Sequence, residues 1–140
     1  LGRMDKFVLY KRLSQYHGVK IAERLLNQYL SDLELERGIV VEVNKPSIIK
    51  KDEIIGAPSD FEAQEIAVFL ATVRVDMTDS RSGGARKLKT AVEDEIEELI
   101  ARTIYEDESK KHFKLTVPNR GILLQNVSHE EMEVKLECLD

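Results

Sequence analysis

Tryptophan is absent from the chain, and cysteine occurs once, at Cys138. One thiol cannot close an intrachain disulfide or build a cysteine-rich zinc site. Histidine is nearly as scarce, and His17, His112 and His129 stand in neither an H-x-x-x-H nor an H-E-x-x-H spacing. Sequence therefore predicts no metal site. Phosphate-cradling loops are missing too, since neither G-x-G-x-x-G nor G-x-x-x-x-G-K-[ST] occurs. No cofactor is expected. No apolar run approaches the roughly 18 to 20 residues that cross a bilayer, so no membrane partner is expected. Basic residues are outnumbered, 21 Lys and Arg against 26 Asp and Glu, for a formal net charge of −5. The resulting pI of about 5.3 disfavours a protein whose main work is to neutralise phosphates. Sequence-specific nucleic-acid binding is not expected.

The 140 residues suit one hydrophobic core. The opening Leu1-Gly2-Arg3-Met4 lacks the apolar segment and cleavage site of a secretory signal. Met4 is the expected natural start, with residues 1–3 a remnant of processing or expression, so the domain is read as 4–140.

Helical spacing begins at Phe7, Tyr10 and Leu13 and resumes past Gly18, where a bend or split is expected, with Ala22, Leu25, Leu26, Tyr29, Leu30 and Leu33. Gly38 is placed to cap that helix, and Ile39–Val43 is β-branched enough to form the first strand. Pro46 to Phe61 reads as a long connection or a protruding hairpin. From Gln64 to Asp76 the alternation of Ala67, Phe69, Ala71, Val73 and Val75 predicts a strand. The polar break Asp79–Gly84 leads to the strongest helical stripe, Ala85, Leu88, Val92, Ile96, Leu99, Ile100 and Ile104, whose outer face is acidic from Glu93 to Glu98. Phe113, Leu115 and Val117 then alternate into a turn at Pro118-Asn119-Arg120-Gly121. A return strand is expected over Ile122–Val127, and a closing strand on Met132, Val134, Leu136 and Cys138. The alternation puts Cys138 on the buried face, as a small apolar residue and not a nucleophile. The fold class is α+β, with a mostly antiparallel sheet of about four to five strands and two main helices packed on one face. Phe69, Val73, Val75, Leu88, Val92, Ile96, Leu99, Leu115, Val134 and Leu136 should share one core.

Chemistry is hard to find in this pattern. Glu133-Val134-Lys135 satisfies the E-x-K of a metal-dependent nuclease strand, with Asp60 or Asp76 as companions, but any charged strand face yields that spacing. Gly83-Gly84, flanked by Arg81 and Arg86, could receive an anion at a helix start, yet a tight strand-to-helix joint needs glycine for conformational reasons alone. A helix-turn-helix over Tyr10–Leu30 fits poorly, because its second helix would expose Glu23, Asn27 and Gln28 in place of a basic face. His112 and His129 both sit at strand beginnings and read as exposed polar residues. No catalytic residue is assigned, and the chain is expected not to be an enzyme.

The order of elements over Met4–Leu35, Ile39–Val43, Glu65–Asp76, Ala85–Tyr105 and His112–Cys138 resembles bacteriophage tail-terminator and tail-completion proteins. That resemblance implies a non-catalytic homo-oligomeric ring, hexameric by the family pattern, which joins the tail tube to the head. Its partners would be tail-tube and head-neck proteins, and its place the virion or the host cytoplasm. The candidate interaction residues are Lys50, Lys51, Asp52 and Glu53 in the long connection, Arg81 and Arg86 around the glycine pair, and Glu93 and Glu97 on the acidic helix. Two alternatives are a small intracellular regulatory or adaptor domain and a metal-dependent nuclease using the E-x-K strand.

Overall fold

The computed structural model describes residues 14–75, 77, 84–117 and 134–139. Expectations that fall on Phe7, Tyr10, Leu13, Asp76, Asp79–Gly83, the turn at Pro118–Gly121, the strand over Ile122–Val127, His129, Met132 and Glu133 lie outside the described residues.

Helix α1, Gln15–Arg37, begins where Ser14 offers its hydroxyl to the His17 N–H at 3.3 Å and ends where Gly38, at φ 66°, returns its N–H to Glu34 and Leu33 carbonyls. Both ends thus carry the chemistry expected of caps. No split occurs at Gly18, which is buried inside a continuous helix. No helix-turn-helix turn is present there. Ile39 is fully buried and leads into β1, Val40–Glu42.

The connection from Pro46 is a hairpin, β2 Ser47–Ile49 antiparallel to β3 Phe61–Ala63, with a 3-10 turn at Lys51–Glu53. Its tip folds back onto the start of α1. The Tyr16 N–H donates to the Ile55 carbonyl at 3.1 Å, and the Ile55 N–H donates to Gln15 Oε1 at 2.9 Å. The hairpin therefore satisfies one of the N–H groups that a helix start leaves without an intrahelical acceptor.

The strand expected over Gln64–Asp76 is a helix. α2 spans Glu65–Phe69 and widens into a π turn, Leu70–Arg74, that ends at Val75, where φ is −125° and the N–H returns to the Leu70 carbonyl. Residues 66–71 are all buried, and the segment packs against both α1 and the next helix. An apolar run covered on every side carries no periodicity that separates helix from strand, so its neighbours decide.

The third helical rod is α3, Gly84–Val92, a π turn at Glu93–Glu97, and α4, Glu98–Glu106. Leu88, Val92, Ile96, Ile100 and Ile104 are buried along it. Each four-residue step overshoots a 3.6-residue turn by about 40°. The wider π turn takes up part of that drift and holds the stripe on one face.

α1 and this rod run in the same direction. Met77 sits between their first turns, close enough that a Cβ on Gly18 would lie 3.1 Å from its side chain and one on Gly84 2.8 Å. Farther along, Glu97 acts on Tyr29. Each helix leads into a strand, and those strands, β1 and β4 (His112–Thr116), pair in parallel with Val40 opposite His112. β5, Lys135–Cys138, adds antiparallel on the far side of β4, giving the order β1-β4-β5.

The class is α+β. Among the described residues the main sheet is smaller than expected and mixed, three strands rather than four or five, with the hairpin as a separate two-stranded sheet. The ten residues predicted for the core all belong to one cluster, Val73, Leu99 and Leu136 at its margin, and α1 adds Val19, Ala22, Leu26 and Leu33. Among the described residues no helix is long and apolar enough to cross a membrane.

Candidate functional site

On the hairpin, Lys50, Lys51, Asp52 and Glu53 are all exposed. Asp60 binds across the loop, taking the Lys51 N–H at 3.0 Å and the Lys50 ammonium at 3.4 Å, and these bonds lower its pKa, the backbone one most. Lys50 is thus already engaged within its own hairpin. At the base of the hairpin, Tyr16 and Phe61 meet edge to face at 4.9 Å, with the Lys20 ammonium 5.6 Å and 5.3 Å from their ring centres. This is packing at the margin of the core.

The α3–α4 rod holds the rest of the candidates. Arg86, Lys87 and Lys89 are exposed near its start, and Glu93, Asp94 and Glu98 are exposed at its middle. Its first turn contains no acid and its last turn no base, while Glu106 closes it. A helix favours anions at its N-terminus and cations at its C-terminus, so this layout opposes the macrodipole at both ends. Glu97 is half-buried, and its carboxyl is pushed up by burial and by Glu93 beside it, with Lys89 opposing. Glu95, a residue that sequence reasoning did not single out, makes the rod's ion pair: Arg74 Nε lies 2.7 Å from Glu95 Oε1, both side chains half-buried. The Arg74 guanidinium also lies over the Phe69 ring at 4.9 Å. The Arg74–Glu95 pair joins the two π turns. Arg81 lies outside the described residues.

Among the described residues, those considered for chemistry lie on separate elements. His112 Nε2 lies 3.1 Å from Glu42 Oε1 on a solvated sheet face, and His17 Nδ1 lies 2.9 Å from the Ser14 hydroxyl. Lys135 is exposed on β5 and Asp60 is held in the hairpin, while Glu133 and Asp76 lie outside the described residues. Cys138 is exposed, which corrects the burial expected of it. It lies opposite Phe113, at the end of the strand that is outermost among the described residues. Among the described residues no group of three or more His, Cys, Asp or Glu could hold a metal ion. A recess between Val43, Asn44, Gln64 and Leu115 has room for about one water molecule. The Gln64 amide nitrogen there donates to Asn27 Oδ1 at 3.3 Å, and its buried Oε1 has no partner.

Large apolar side chains are nevertheless left in solvent. Tyr105 is 85% exposed and Leu35 82%, near the C-terminal ends of the rod and of α1, while Ile48 and Ile55 stand out from the hairpin. The sequence matches no protein-family model and no curated protein.

Proposed function

We propose that the chain is a non-enzymatic assembly subunit that works as a homo-oligomer. The observation that carries this reading is the exposure of Tyr105 on a charged helical rod whose layout works against its own dipole, together with that of Leu35 near the end of α1. A contact that covered these side chains would gain their apolar area. The closed ring of a phage tail terminator or neck, joining tail tube to head, is the specific form suggested by the resemblance in element order. The helix found at Glu65–Phe69 removes the long strand from that resemblance, so the proposal rests on the surface first. A ring uses two different patches on each subunit, which suits a surface that is basic at one place and acidic at another.

Native mass spectrometry of the full chain tests the reading. A discrete multiple of 16.0 kDa is expected, and in a native particle several copies should surround the tail–head joint. A single copy bound to an unrelated partner would overturn the assembly reading in favour of an adaptor.

A further inference from the structure

We propose that the exposed face of the α3–α4 rod is a self-association surface, with the basic start of the rod in one copy laid against its acidic middle in a second copy. This rests on the assembly reading above and names the contact that builds it. Arg86, Lys87 and Lys89 are exposed before the π turn, and Glu93, Asp94 and Glu98 within and just after it. The opposite side of the rod is spent on the core through Leu88, Val92, Ile96, Ile100 and Ile104.

Both halves of the complementary pair lie on one chain, so a second copy supplies all that the first one lacks. Other sources of positive charge fit less well. The hairpin lysines lie among Asp52, Glu53, Asp60 and Glu62, and Asp60 already takes the Lys50 ammonium. Arg102 is the single base of the α4 segment, and Glu95 is committed to Arg74 within the chain. Arg86 and Lys87 at the start of the rod and Glu106 at its end are unfavourable to the helix that carries them. Glu93 and Glu97 crowd each other on the π turn, and cations from a second copy would relieve that repulsion. Charge of this kind sets register and partner choice, and the exposed Tyr105 ring supplies apolar area at the acidic end.

The test uses the full chain with two surface variants, Arg86→Glu/Lys87→Glu/Lys89→Glu and Glu93→Lys/Asp94→Lys/Glu98→Lys, followed by sedimentation equilibrium and native mass spectrometry. The wild type should associate, more weakly as salt rises from about 50 mM to about 500 mM. Each variant alone should associate about tenfold or more weakly, and an equimolar mixture of the two should recover the wild-type assembly. Both variants should keep the helical circular dichroism of the wild type. That separates a lost contact from a damaged fold. Variants that associate like the wild type overturn this pairing and leave the assembly reading standing. A mixture that fails to recover assembly shows that the face meets an unlike chain and overturns the second copy as its occupant. A wild type that stays at 16.0 kDa throughout defeats both readings.

Discussion

Two glycines with positive φ are not equally replaceable. Gly38, at 66°, has open space where a Cβ would go, so Gly38→Ala should cost only the left-handed backbone, about 1–2 kcal/mol. Gly56, at 87°, would bring a Cβ onto Ser14, the residue that caps α1, and Gly56→Ala should cost more than Gly38→Ala. Urea unfolding of both variants checks the order. In the core, Ile96 is fully buried, and Ile96→Ala should cost about 2–5 kcal/mol in the same assay. The Glu97 carboxyl makes a pH prediction. Its pKa is raised in the fold by burial and then by Glu93, so between its ordinary and raised values the native state binds more protons than the unfolded state. Stability contributed there is present at low pH and falls as pH rises through that window. Glu97→Gln should therefore flatten the fall and leave the protein more stable at neutral pH, as thermal melts across the acid range will show.

Among the elements, the ones legible in sequence are those with one wet face. The α3–α4 stripe and the Phe113/Leu115 alternation each declare a period because solvent occupies the other side. α2 does not, since residues 66–71 are buried whichever way they point, and two flanking helices settle the choice. Neither π turn is announced by a single residue. What hints at the second one is the run of four-residue steps from Leu88 to Ile104, slightly too long for an ordinary helix. The Arg74–Glu95 pair was illegible for the same reason as α2: a residue read as part of a strand cannot be matched to a helix face. The pair should matter. Arg74→Met leaves Glu95 half-buried without its cation and should cost about 1–3 kcal/mol, with much of that loss absent when Glu95→Gln is already present. A double-mutant cycle measures the coupling.

At the scale of the whole molecule, sequence shows the charges of the candidate surface but not which of them are engaged within the chain. The acidic run Glu93–Glu98 is visible as letters, but the letters alone do not separate Lys50 and Lys51 from Arg86 as free cations. Only the fold shows Asp60 reaching across to claim Lys50. The sheet topology has a further consequence, for the order in which the molecule can be made. β1 emerges early from synthesis, yet its ladder partner is β4, and the side chains that meet across it, Glu42 and His112, are 70 residues apart. α1 can coil and the hairpin can close while the chain is still growing, because their contacts are local. The three-stranded sheet cannot, and the loop-closure entropy of that span must be met before any parallel hydrogen bond forms. A nascent chain halted at Lys111 should then hold Val40–Glu42 unpaired and open to a protease. Release of the full chain should protect that segment, in a step slower than the formation of the helices.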